Sequence, residues 1–294
     1  MSEVILYLFF RAFCFVTGIL PLGFALWAGR IMGALVCLLP VKRKRLVFYN
    51  IRNAYKAELD EAGVNHMLRR MYQHFGMSLI EYARLHRMDK EYVDKYITFE
   101  GLGNLDNALK NGGTVALMAH HGNWEMLLIA LALKGYPLNI VVRPIDNTHI
   151  NHYVTRLRTR AGNKIIEKKG ALRKMLRVLE DGKILSILLD QRAAVKEGVE
   201  CEFFGRKAMT SKGLAGIALK TDATVVPVSI SRMNGPYHKV VCDKAVSFTP
   251  SGNKEEDVAE MTQIFTSSIE NFIRRNPEQW FWFHSRWVRR KNAG

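Results

Sequence analysis

The chain is 294 residues long, 48% hydrophobic, and carries a formal net charge of +16 from 43 Lys and Arg against 27 Asp and Glu. That length holds one large domain or two small ones, and the apolar content is ample for a sizeable core, which excludes a low-complexity chain. Beyond its ordinary use in solubility, the positive excess favours anionic partners: nucleic acid, anionic lipid, phosphorylated substrates or an acidic protein.

From residue 4 to residue 41 the sequence is almost continuously apolar, broken by Arg11 and Arg30, and residues 12–29 are uncharged over 18 positions. A helix needs about 20 such residues to cross a bilayer, so residues 1–41 are expected to form an apolar membrane-anchor helix, spanning the bilayer or lying in its interface. Lys42-Arg43-Lys44-Arg45 follows at once, as a cytoplasmic flank does, and attracts anionic headgroups at about 1 kcal/mol per charge. Glu3, the length of the run and the position of the basic cluster argue against a cleaved signal peptide. Gly18, Pro21 and Gly23 interrupt the run, which leaves a buried core helix as the alternative.

Residues 46–98 show apolar positions three or four apart (Met67, Met71, Phe75, Leu79, Tyr82) with Arg69, Arg70 and Arg84 between them, which predicts a helical layer. Beyond residue 100 the rhythm changes. Short apolar runs at 114–119, 138–142, 184–189 and 224–230 read as buried strands, with a further strand over 238–248. Helical patterns lie between them at 124–133, 149–160, 171–180 and 211–220, and a closing helix over 255–275 ends at Asn276-Pro277. The expected fold is α/β, a mixed and largely parallel sheet flanked by helices, with residues 42–294 as one domain behind the anchor. The cysteines Cys14, Cys37, Cys201 and Cys242 lie far apart with no Cys-x-x-Cys pair, so they read as small core residues in a reducing compartment.

The segment richest in chemistry is Met118-Ala119-His120-His121-Gly122-Asn123-Trp124-Glu125. It falls where a buried strand ends and a helix begins, the usual edge for a site in an open α/β sheet. Asn123 reads as the cap, which puts Glu125 in the first helical turn, within reach of an imidazole in the preceding loop. A carboxylate on one ring nitrogen fixes the tautomer and makes the other nitrogen a better base, which suits removal of a proton from an alcohol. Helix capping alone, or a metal held by His120, His121 and Glu125, are the rival uses of these residues. No His-Glu-x-x-His motif supports the metal.

The His-x-x-x-x-Glu spacing of His120 and Glu125 resembles the signature of the lysophospholipid/glycerolipid acyltransferase superfamily. His121-Gly122-Asn123-Trp124-Glu125 is similar to its branch of lipid A late acyltransferases, the lauroyl and myristoyl transferases. The likeness continues in order through Arg143-Pro144 with Asn147, Arg158, Leu188-Leu189-Asp190-Gln191, Phe203-Phe204-Gly205 with Thr210, Val226-Pro227-Val228, and Pro277-Glu278-Gln279-Trp280 through His284, Arg286 and Trp287.

The resemblance implies direct transfer of a fatty acyl group from a thioester on acyl carrier protein to a hydroxyl of a lipid A precursor. It implies no metal or redox cofactor, and places the reaction at the cytoplasmic face of an inner membrane. His120 would be the base and Glu125 its orienting partner. Spacing favours His120 over His121, which stands four residues before Glu125 instead of five. Arg143 and Arg158 would bind phosphate or the developing oxyanion, or else lie on a solvated face. Asp190, at the end of a buried strand, is expected to have a partner, plausibly an arginine; Gln191 beside it joins the substrate-binding set. The absence of a Gly-x-Ser-x-Gly elbow agrees with direct transfer.

The mixture of Trp280, Trp282 and Trp287 with Arg286, Arg289, Arg290 and Lys291 suits a membrane–water interface, or packing against the core. No nucleic-acid-binding signature accompanies the basic charge, and an apolar N-terminus is out of place in such a protein. Another lipid acceptor, such as a glycerophospholipid, a glycolipid or an ornithine lipid, is the rival within the same chemistry.

Overall fold

The computed structural model describes residues 3–287, so Arg289, Arg290 and Lys291 lie outside the described residues. The apolar N-terminal run does not form the single helix expected from its composition. It divides into α1 (Glu3–Ile19) and α2 (Leu22–Leu38) at Pro21. Proline has no N–H to give the preceding turn and its ring clashes there, so a continuous helix is broken at this point. The carbonyls left free are taken by Arg84, whose guanidinium donates to Thr17 O and, at 2.9 Å, to Leu20 O. No single described helix is long and apolar enough to cross a membrane.

Two further helices, α3 (Lys42–Ala54) and α4 (Glu61–Arg84), complete the N-terminal layer. Gly29 and Gly33, one turn apart on α2, meet Gly76 on α4 backbone to backbone. A Cβ on Gly33 would stand 2.1 Å from Tyr72 O, and one on Gly76 2.1 Å from Gly29 O. Only glycine permits that approach. The outward faces of the pair expose Phe9, Phe15 and Ile19 on α1, and Trp27, Leu35 and Leu38 on α2.

The α/β body follows in chain order: α5 (Lys90–Tyr96), β1 (Ile97–Glu100), α6 (Leu102–Lys110), β2 (Thr114–Met118), α7 (Trp124–Leu133), β3 (Leu138–Val142), α8 (Thr148–Thr159) and β4 (Lys164–Glu167). Then come α9 (Leu172–Glu180), β5 (Ile184–Leu188), β6 (Gly198–Phe203), β7 (Arg206–Ser211), α10 (Gly213–Thr221), β8 (Thr224–Asn234), β9 (Tyr237–Cys242) and α11 (Lys254–Arg275). The main sheet has the order β1-β9-β8-β2-β5-β3-β4. Its pairs are parallel except β8 with β9, so the mixed, largely parallel sheet read from the sequence is the one that forms.

All five residues of β2 are buried, as expected of a central strand covered on both faces. Its side chains alternate between two cores: Val115 and Leu117 join the α9, α10 and α11 side, Ala116 and Met118 the α7 and α8 side. The sequence reading did not anticipate the β6–β7 hairpin. It turns at Phe204-Gly205, both with positive φ, 53° and 64°, the backbone that a tight two-residue hairpin requires. The four cysteines are buried and unpaired.

Candidate active site

The end of β2 carries His120, and the strand beside it, β5, carries Asp190. The two strands are parallel, with Met118 opposite Leu188, so two residues further on the chain brings His120 and Asp190 to the same edge. His120 Nδ1 lies 2.8 Å from Asp190 Oδ1, and Trp280 Nε1 donates to Asp190 Oδ2 at 2.8 Å. Asp190 is buried, with both oxygens engaged. Burial opposes its ionisation, but the attraction and hydrogen bond of His120 and the Trp280 N–H outweigh it, holding the carboxyl at about 2. Burial likewise disfavours a charged His120 ring. The Asp190 charge and hydrogen bond, helped by Glu125, overcome that and raise its pKa. An ionised Asp190 requires a proton on Nδ1, which leaves Nε2 as the free base. The Gln191 amide nitrogen lies 3.4 Å from Nε2.

The carboxylate hydrogen-bonded to the His120 ring is Asp190, while Glu125, expected there from its spacing, pairs with Arg158. Asn123 caps α7 by accepting from Met126 N at 3.2 Å, as read from the sequence. Trp124 then presents its ring to His120, centroids 5.0 Å apart and edge-on. Glu125, one residue on, is turned about 100° around the helix toward α8. There Arg158 Nε donates to Glu125 Oε2 at 2.8 Å, and Arg158 Nη2 binds the other oxygen. Both residues are largely buried, and the hydrogen bonds and charge of Glu125 outweigh burial to raise the Arg158 pKa. Arg158 thus belongs to the site region, paired and not solvated.

Asp190 takes a histidine and a tryptophan where an arginine was expected. Arg143 does not join the site. It follows β3, which β5 separates from β2, and it pairs with Asp146 at 3.1 Å while 80% exposed. His121 turns into the core: its Nδ1 lies 3.1 Å from Ile230 O and its Nε2 3.0 Å from Asn276 O, and burial lowers its pKa. The two histidines have separate surroundings. Among the described residues, no group of three or more His, Cys, Asp or Glu is placed to hold a metal ion.

The C-terminal aromatic segment packs inward. Trp280, Trp282 and Trp287 are at most 2% exposed, which decides for core packing over a membrane interface among the described residues. The segment also builds the site. Phe281 N donates to His120 O at 2.9 Å, and Gly122 N to Gln279 O at 2.9 Å. Gly122 adopts φ +59°, and a Cβ there would stand 2.0 Å from Ile230 O, so the turn closes only with glycine. Buried Arg286 donates to Gln191 O, Met209 O and Thr210 Oγ1, which ties the loop after β5 to the hairpin. Burial drives its pKa down to about 10 despite the nearby Asp190. Trp280 and Arg286 were visible in the sequence as part of a closing motif. Their roles became legible only once the fold brought residues 190 and 280 together.

Beside His120 opens a mostly apolar cavity of about 280 Å³, lined by Met71, Phe75, Leu79 and Tyr82 of α4 with Trp124 and Phe281. The His120 ring packs against Trp124 and Phe281, two of the residues that line this cavity, at centroid distances of 5.0 and 6.3 Å.

The family described as bacterial lipid A biosynthesis acyltransferase matches residues 2–289, and the chain belongs to this family. It is 26% identical over 195 residues to a lipid A biosynthesis acyltransferase of Haemophilus influenzae, covering 66% of this chain and 59% of that relative. It is 26% identical over 207 residues to a phosphatidylinositol mannoside acyltransferase of Mycobacterium tuberculosis, covering 69% and 63%. To the lipid A biosynthesis lauroyltransferase of Escherichia coli it is 21% identical over 265 residues, covering 88% and 83%. The matched region thus spans about three fifths of the length of the first two relatives.

Proposed function

We propose that this protein is an O-acyltransferase that moves a fatty acyl chain from a thioester on acyl carrier protein to a hydroxyl of a lipid A precursor, at the cytoplasmic face of an inner membrane. The observation that carries the reading is the His120–Asp190 pair, its ring packed on Trp124 and Phe281 of the apolar cavity, in a chain of this family. His120 Nε2 takes the proton of the acceptor hydroxyl as its oxygen attacks the thioester carbonyl. The tetrahedral intermediate collapses, the C–S bond breaks, the ester forms, and the thiolate recovers the proton from His120. Asp190 holds the Nδ1–H and stabilises the imidazolium while it exists. The cavity holds the acyl chain, the Gln191 amide orients the hydroxyl, and Glu125 acts through Arg158 and through its charge on His120. No cofactor enters these steps.

Membrane association is supported by the large apolar side chains that α1 and α2 leave exposed, among them Phe9, Phe15, Ile19, Trp27, Leu35 and Leu38. The broken pair fits an interfacial wedge better than a straight span. The +16 charge supports an acidic donor protein. A second reading, acylation of a different glycolipid, is favoured by the likeness to the mycobacterial enzyme.

The test supplies the full chain in mixed micelles with acyl thioester on acyl carrier protein, and offers a lipid A precursor and a phosphatidylinositol mannoside separately. Mass spectrometry should show one added acyl group on the lipid A precursor alone. Acylation of the mannoside alone establishes the second reading, and acylation of neither removes both.

A further inference from the structure

A fully buried ion pair lies behind the catalytic turn. Arg232 on β8 binds Glu81 on α4 through both terminal guanidinium nitrogens, Nη1 and Nη2, each N···O distance being 2.6 Å. Glu81 is 2% exposed and Arg232 7%. Burial of Glu81 opposes its charge, but the Arg232 attraction prevails and holds the carboxyl well below the usual range. Such a pair is weak evidence for stability. Its desolvation offsets most of the attraction, and apolar side chains of similar size would join α4 to β8 as well or better. What a polar pair adds is direction.

That direction leads to the turn. Asn123 donates from Nδ2 to Glu81 Oε2 at 3.0 Å while its Oδ1 caps α7. Both ends of the Asn123 amide are therefore committed, one to the helix that presents Trp124 and one to Glu81. Arg232 reaches the turn by a second route. Its backbone N donates to Gln279 Oε1 at 2.7 Å, and its backbone O accepts from Gln279 Nε2 at 2.9 Å. The Gln279 carbonyl in turn accepts from Gly122 N. Residues 122 and 123 are thus gripped from two sides by one arginine, through Glu81 and through Gln279. Glu81 also lies on α4, the helix that lines the apolar slot, so the same contacts fix the slot relative to His120.

We propose that Glu81, Arg232 and Asn123 are positioning residues that set the pose of the His120 turn against the apolar slot. Glu81 and Arg232 lie behind the turn and act through Asn123, which stands in the turn at the wall of the slot; the proposal rests on the acyl-transfer reading above.

Asn123→Ser separates the two jobs of the amide. Serine caps a helix about as well as asparagine but is too short to reach Glu81 at the same time. The variant is expected to melt close to the parent. It should lose kcat by about ten- to a hundredfold, the scale on which small misplacements act, while KM for the acyl donor changes by less than about twofold. Adding Glu81→Gln should lower kcat no further than Glu81→Gln does alone, because both break one path. A parental kcat in Asn123→Ser, or losses that multiply in the double variant, overturns the proposal. If Glu81→Gln does not fold, Asn123→Ser decides on kcat and on the nitrogen resonances of the His120 ring, which should shift from the parental values. Those resonances also serve if the parent transfers no acyl group to any acceptor. That outcome removes the acyl-transfer reading, while an unshifted His120 ring in Asn123→Ser removes the positioning device.

Discussion

Asp190→Asn is the substitution on which the His120 assignment turns. Trp280 Nε1 donates to Oδ2 of Asp190, and the imidazole bonds to Oδ1. An asparagine amide has one oxygen for these two neighbours. With the oxygen left facing the tryptophan, its NH₂ faces Nδ1 of His120. The ring must then accept at Nδ1 and carry its proton on Nε2, where it cannot act as a base. The full general-base contribution is at stake, about 10²–10⁴-fold in rate or roughly 3–5 kcal/mol of barrier. Loss of the carboxylate also removes the charge and hydrogen bond that oppose burial of the ring. The His120 pKa then falls, and the low-pH limb of the kcat/KM profile moves to lower pH. Steady-state transfer measured across pH reports both effects. Adding Trp280→Phe removes the competing donor, lets the amide oxygen turn to Nδ1, and should recover part of the lost rate. Activity of Asp190→Asn within about threefold of the parent, with an unmoved acid limb, would refute the assignment of Asp190 as orienting group.

Other outcomes follow from the same geometry. His120→Ala should abolish most transfer, by about 10²–10⁴-fold, in a protein that melts normally. His121→Ala should lower the melting temperature by leaving a core cavity, with far less effect on rate per folded molecule. Gly33→Ala, whose new Cβ would stand 2.1 Å from Tyr72 O, should destabilise by about 1–3 kcal/mol, read as a lower melting temperature. Acyl carrier protein should be a more efficient donor than coenzyme A with the same acyl chain, and should lose more efficiency as salt rises. Equal efficiencies would remove the acidic-protein donor. The depressed Asp190 carboxyl should stabilise the fold above about pH 4, a contribution lost as pH falls through about 2, so denaturant unfolding should show stability declining across that window.

The elements that were legible in the sequence are those whose periodicity tertiary packing merely confirms. The strand at residues 138–142 and the helix at 124–133 have the bounds read from apolar pattern and capping. The two strands missed in the main sheet, β1 and β4, are its edges, four residues each with one buried position, too little burial to leave a pattern. At the N-terminus composition alone favoured one long helix. Pro21 overrode it because a backbone constraint acts at a single residue, whatever the average around it.

The site shows the same division between local and long-range information. Spacing along the chain ties His120 to Glu125, since both lie in one strand–turn–helix segment. The contact that orients the ring comes from a residue seventy positions away. It was nonetheless implicit in the strand assignments. Two adjacent parallel strands in register present residues equally far past their ends at one edge, and the period of two puts them on one face. Met118 opposes Leu188, and Met118 and Ile184 face the same core, so positions 120 and 190 share both edge and face. What the sequence lacked was the knowledge that β5, and not β3, lies next to β2. That fact of sheet order admits Asp190 to the site, and it also leaves Arg143, on the far side of β5, in solvent beside Asp146.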